Sequence, residues 1–218
     1  MIKTVIFDMD GLMFDTEHLS NEAWCEAGKK LDITIDPEML NSMKGTNRVE
    51  SEKIIRSYLG ENIHLEYLRT LKQEYVDQYL KENGVPVKKG LTELLSYLKT
   101  HGYNTVVATS TSEEKAEKLL KMADVEKYFD HLIFGNMVER GKPEPDIFLE
   151  AAHRAYTAPE KCLVLEDSLK GVEAAYVAGC QVIMIPDCIP ANERTREIAD
   201  DIVESLYDVL EMFRTLDA

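Results

Sequence analysis

Two carboxylates one residue apart stand where a short apolar run ends: Thr4-Val5-Ile6-Phe7 is followed by Asp8-Met9-Asp10-Gly11. If the strand continued through both acids, they would face the same side, because strand side chains alternate with a period of two. If the chain leaves the strand after Asp8, one acid can face a reacting centre and the other its leaving group. That geometry suits a nucleophile assisted by a general acid-base. A polar strand end, or half of a metal site, would use the same residue types.

Three further segments carry chemistry at similar places. Ala108-Thr109-Ser110-Thr111 closes another apolar run, and hydroxyls with free backbone N–H groups at a helix start can hold a phosphate oxygen. Simple N-capping by Thr111 or Ser112 is the competing reading. In Gly141-Lys142-Pro143-Glu144-Pro145 a lysine sits between a flexible residue and rigid ones, which is either a held cation or an ordinary loop. Leu163-Val164-Leu165-Glu166-Asp167-Ser168 puts adjacent acids after a buried strand. Carboxylate oxygens suit a hard cation such as Mg²⁺, although Asp167 or Ser168 could instead cap the following helix.

The elements that must position these groups alternate. Strands are expected at 4–7, 104–108, 131–134, 162–165 and 181–185, with helices at 91–100, 113–122, 145–156 and 168–178. Such alternation predicts an α/β fold, a doubly wound and mainly parallel sheet covered on both faces, with its active site at the carboxyl ends of the strands. Residues 15–83 read differently. Leu65, Leu68, Leu71, Tyr75 and Tyr79 keep a helical period, no strand is evident, and Lys81-Glu82-Asn83-Gly84-Val85-Pro86 begins a Gly- and Pro-containing return linker. An all-helical module at 15–83 is therefore expected to interrupt an α/β domain made of 1–14 and 84–218.

Composition narrows the partners. The 218 residues carry 25 Lys and Arg against 40 Asp and Glu, a net charge of -15. That field repels nucleic acid and anionic membranes, so an anionic small molecule would need local positive charge in its site. The chain reaches its first acid at Asp8 and has no long apolar run, so neither a signal peptide nor a membrane span is expected. Four cysteines without paired spacing, Cys25, Cys162, Cys180 and Cys188, suggest reduced thiols in a cytoplasmic protein. A monomer is the preferred assembly.

Taken in order, Asp8-Met9-Asp10-Gly11, Thr109, Lys142 and Glu166-Asp167 resemble the four motifs of the haloacid dehalogenase-like hydrolase superfamily. Phe14-Asp15-Thr16-Glu17 and Lys44-Gly45-Thr46-Asn47-Arg48 are most similar to its branch of β-phosphoglucomutases and sugar-phosphate phosphatases with a helical cap. The resemblance implies that Asp8 takes the phosphoryl group, Asp10 is the acid-base, Thr109 binds the phosphoryl oxygens and Lys142 neutralises charge. It also implies Mg²⁺ held by Asp8, the Asp10 carbonyl, Asp167 and Glu166, the last directly or through water. Ser110 and Thr111 would contact the phosphate, and Lys44, Arg48 and Trp24 of the cap the rest of the substrate, although Trp24 could equally be cap core. The mutases carry a cap histidine where this chain has Ser20, and His18 is offset by two residues. Hydrolysis of a small phosphate ester is therefore expected ahead of mutase activity, with a non-catalytic phosphate-binding regulator as a further alternative.

Overall fold

The computed structural model describes residues 1–43 and 48–216, with Arg48 described by its backbone only. Its contacts divide it into two compact units, Met1–Asp15 with Val85–Ala218, and Thr16–Gly84.

In the first unit, β1 (Thr4–Phe7), β2 (Asn104–Thr109), β3 (His131–Phe134), β4 (Cys162–Glu166), β5 (Gln181–Met184) and β6 (Asp201–Ile202) form one sheet in the order β3-β2-β1-β4-β5-β6. Every neighbouring pair is parallel. Both faces are covered, so β1 and β4 are buried along their whole length rather than alternating, and Val5, Ile6 and Phe7 are all fully buried. Ile6, Val106, Ala108, Val164, Val182 and Met184 pack in one cluster with residues of α7 (Asp146–Arg154) and α8 (Leu169–Val177). On β2 rests α5 (Leu91–Thr100), which in turn packs against α10 (Leu206–Leu216). The remaining helices of this unit are α6 (Glu113–Met122) and α9 (Glu193–Ile198).

The chain order reverses beside β1: β2 and β3 lie on one side of it, β4 to β6 on the other. A crevice forms outside the carboxyl ends of the strands at such a switch point, and ligands bind there. Asp8 follows β1 and Glu166 ends β4, the two strands that flank the reversal.

The second unit is helical: α1 (Thr16–Lys29), α2 (Pro37–Met43), α3 (Arg48–Leu59) and α4 (Leu65–Asn83). Its core gathers Trp24, Ala27, Ile35, Met39, Leu40, Ile55, Leu65, Leu68 and Leu71. The α4 helix runs through Asn83, so residues 81–83, assigned to the linker from their charge and polarity, are helical; Gly84, at φ 77°, follows the last helical residue. Strand β6, two residues on the sheet edge, is absent from the sequence reading because so short a segment shows no period.

Candidate active site

The Asp8 amide donates to the Leu165 carbonyl at 3.1 Å, extending the β1–β4 ladder one residue past the strand. The chain then turns back. Met13 N and Phe14 N donate to the Met9 carbonyl at 2.9 and 3.1 Å, and Gly11 N donates to the Phe14 carbonyl at 2.9 Å. The two acids therefore do not share one extended strand, and Asp10 is carried on a tight turn. Gly11 has φ +89°, and a Cβ there would lie 2.3 Å from Asp167 Oδ2. Only glycine gives both that backbone conformation and that close approach.

The Lys142 loop and the end of β4 converge on Asp8. Lys142 Nζ donates to Asp8 Oδ1 at 2.5 Å and to Glu166 Oε1 at 2.6 Å, with its side chain 7% exposed. The ammonium also stands over the Phe148 ring, 4.9 Å from its centroid, in cation–π contact. Glu166 is fully buried, and its second oxygen accepts from Ser168 N at 2.8 Å and Ser168 Oγ at 3.0 Å. Ser168 caps α8 through Gly171 N, so the cap is the serine and not Asp167. A Cβ on Gly171 would fall 1.7 Å from Glu166 Oε1, which explains a glycine in the first turn of a helix where it costs stability.

Thr109 ends β2, is 1% exposed, and its hydroxyl oxygen accepts from Thr111 N at 3.0 Å. The Thr111 hydroxyl donates to Asp10 Oδ2 at 2.6 Å. The sequence reads Thr111 as a helix cap or a phosphate ligand, whereas in the structure its hydroxyl orients the second acid. Ser112 occupies the N-cap of α6 without a side-chain capping bond. Ser110 is exposed beside them, and Gly135 after β3 lets its carbonyl pass close, since a Cβ would stand 2.3 Å from Ser110 O.

Clustering these acids has an electrostatic consequence. Burial pushes the Asp8 carboxyl up to about 7, with Glu166 and Asp10 adding to the effect and Lys142 opposing it. Asp167 is pushed up to about 10, by burial first and then by Glu166 and Asp8. Burial by itself would lower the Lys142 ammonium, but Asp8 and Glu166 outweigh it and hold the lysine above its ordinary value. One ammonium against several clustered carboxylates leaves an excess of negative charge in a poorly solvated place. An all-oxygen donor set with surplus negative charge fits a hard divalent cation.

The haloacid dehalogenase-like hydrolase model matches residues 5–185. The chain belongs to this family. The match begins in β1 and ends after β5, and so includes every site residue named in this subsection as well as the helical unit. A phosphorylated carbohydrates phosphatase of Thermotoga maritima is 35% identical over 186 residues, covering 84% of each chain. A β-phosphoglucomutase of Bacillus subtilis is 29% identical over 224 residues, covering 98% of this chain and 97% of its own. The crystal structure of CbbY from Rhodobacter sphaeroides in complex with phosphate superposes with a TM-score of 0.79 at 28% identity, over 96% of both chains.

This haloacid dehalogenase-like hydrolase has three further residues expected to meet the substrate, all in the helical unit. Lys44 and the side chain of Arg48 lie outside the described residues. Trp24 is 9% exposed in the core of the helical unit, with Lys72 Nζ 5.4 Å from its ring centroid. Its surroundings serve the packing of that unit.

Proposed function

We propose that the chain is a Mg²⁺-dependent phosphatase of small phosphate monoesters, sugar phosphates first, acting through a phospho-aspartate on Asp8. The observation that carries the reading is the convergence of Asp8, Lys142 and Glu166 within hydrogen-bond distance at the sheet's switch point, with Thr109 ending the strand next to β1. Lys142 restrains one oxygen of the Asp8 carboxylate and leaves the other to bond to phosphorus while the ester P–O bond breaks. Asp10, oriented by Thr111, gives its proton to the leaving oxygen. The same carboxylate then takes a proton from the water that hydrolyses the acyl phosphate, returning Asp8 and releasing inorganic phosphate. Thr109, Ser110 and Lys142 meet the charge spread over the transferring oxygens, so the protein's work is mainly positioning and electrostatic stabilisation.

Asp8, Asp167 and the Asp10 carbonyl would hold the Mg²⁺. Both oxygens of Glu166 are engaged by Lys142 and Ser168, so Glu166 would act on the metal through water. When bound, the ion supplies positive charge between an anionic nucleophile and an anionic substrate. Lys44 and Arg48 would contact the substrate beyond its phosphate. The higher identity to the sugar-phosphate phosphatase than to the mutase supports hydrolysis. Cys25, Cys162, Cys180 and Cys188 form no disulfide with one another, which suits the reducing cytoplasm in which we place the enzyme.

Phosphate release with Mg²⁺ over a panel of sugar phosphates, nucleoside monophosphates and aryl phosphates tests this. Release from sugar phosphates is expected, and inactivity across the panel would contradict the reading. Interconversion of β-glucose 1-phosphate and glucose 6-phosphate faster than phosphate release would replace hydrolysis by mutase activity.

The raised carboxyl groups give a second, independent check. Both are raised above their ordinary value of 3.8, so between pH 4 and 7 these two groups hold more protons in the metal-free folded chain than in the unfolded one. Their contribution to stability therefore falls as pH rises through that window, and Asp167 extends the fall toward pH 10. A cation that binds the ionised carboxylates reverses the trend. Millimolar Mg²⁺ is expected to raise the melting temperature by about 5 °C or more at pH 8 and by much less at pH 5, read by calorimetry. An equal Mg²⁺ effect at both pH values would contradict the proposed ligands.

A further inference from the structure

Lys88, Asp187 and Asp15 form a charged cluster to which the mechanism above gives no part. Lys88 Nζ donates to Asp187 Oδ1 at 2.5 Å and lies 3.6 Å from Asp15 Oδ1. The Asp187 side chain is 2% exposed, so its carboxylate is confined and cannot follow the lysine into solvent. Burial opposes the Lys88 charge, yet Asp187 holds the ammonium above its ordinary value.

The backbone shows what the cluster restrains. Asp15 is the last residue of the α/β unit before the helical insertion, and Lys88 lies just after the chain returns. These two crossings are zipped together: Asp15 N donates to Pro86 O at 2.8 Å, Lys88 N donates to Met13 O at 2.9 Å, and Phe14 bridges Val87 in antiparallel sense. The outgoing crossing is also the turn that carries Asp10, through the bridge from Asp10 to Phe14 and the bond from Gly11 N to Phe14 O. Asp187 follows β5, and Ile185 N, two residues earlier, donates to Glu166 O at 2.7 Å. A single lysine thus ties the paired crossings to the sheet.

We propose that Lys88 is a positioning residue for Asp10: its pairing with Asp187 fixes the crossings whose hydrogen bonds hold the Asp10 turn. This rests on the reading of Asp10 as the general acid. A proton donor matters most when the leaving group is a poor one. Displacing Asp10 should therefore slow the cleavage of an alkyl phosphate more than that of an aryl phosphate.

The test compares kcat/KM on glucose 6-phosphate and p-nitrophenyl phosphate for the full chain, Asp10→Asn, Lys88→Met and Lys88→Arg, at fixed Mg²⁺. Lys88→Met is expected to lose about 10-fold more on glucose 6-phosphate than on the aryl ester, a fraction of the 10²- to 10⁴-fold that general acid catalysis supplies. Lys88→Arg, which keeps the charge, should recover most of the difference. Asp187→Asn breaks the same pair from its other side and should reproduce the selective loss should Lys88→Met fail to fold. Equal losses on both substrates, or none, in Lys88→Met and Asp187→Asn while Asp10→Asn is selective would overturn the inference alone. Absence of selectivity in Asp10→Asn would overturn the general-acid reading, and this inference with it.

Discussion

Asp8→Asn is expected to abolish turnover, lowering kcat by at least about 10⁴-fold on every substrate, the scale seen when a group indispensable to a covalent mechanism is removed. The amide has nearly the shape of the carboxylate, so packing against Leu165 and Lys142 survives and the fold should be kept. What is lost is the nucleophile: an amide oxygen does not form an acyl phosphate that water can clear. The substitution also removes a carboxyl that burial already disfavours as an anion, so the metal-free variant should be at least as stable as the parent above pH 7. Steady-state kinetics on p-nitrophenyl phosphate with thermal melts decides the matter. Retained turnover in a well-folded Asp8→Asn protein would refute the assignment.

Lys142→Met should damage both activity and stability. The ammonium is hydrogen-bonded to two buried carboxylates, Asp8 and Glu166, and its loss leaves them facing each other without that counter-charge. Removing one partner of a buried ion pair typically costs about 3–5 kcal/mol. The same charge would stabilise the transferring phosphoryl group, and loss of one such preorganised donor costs about 10²- to 10³-fold in kcat. Urea denaturation and kinetics should show both losses. Adding Glu166→Gln to Lys142→Met should recover part of the stability and none of the rate, because the repulsion is relieved while the cation is still missing. Recovery of rate in the double variant would mean that Lys142 acts only as a structural counter-ion.

The proposed nucleophile, phosphoryl-binding threonine and metal-site glutamate were legible because strand ends are marked by short apolar runs in the sequence. Asp8, Thr109 and Glu166 each directly follow or close such a run; Asp8 and Glu166 flank the point where the sheet order reverses, and Thr109 ends the strand next to β1. The core helices were legible through their amphipathic period, and α5 and α6 span the expected residues. Contacts between segments far apart in the chain were not. Nothing local marks Thr111 as the partner of Asp10, 101 residues away, or Lys88 as the partner of Asp187, 99 residues away. Gly171 did carry a signal, a glycine in the first turn of a helix just after two acids, but its meaning needs the position of the Glu166 carboxylate. Trp24 shows the converse limit: an aromatic residue near a motif reads equally well as ligand or core, and only packing separates the two.

The most direct measurement is acid quenching of the enzyme during turnover of a phosphate ester with Mg²⁺, followed by peptide mass spectrometry with borohydride trapping of acyl phosphates. The account predicts one labelled side chain, residue 8, at a level that falls to nothing in Asp8→Asn. Turnover that proceeds with no label at residue 8, or with label on another residue, would contradict it.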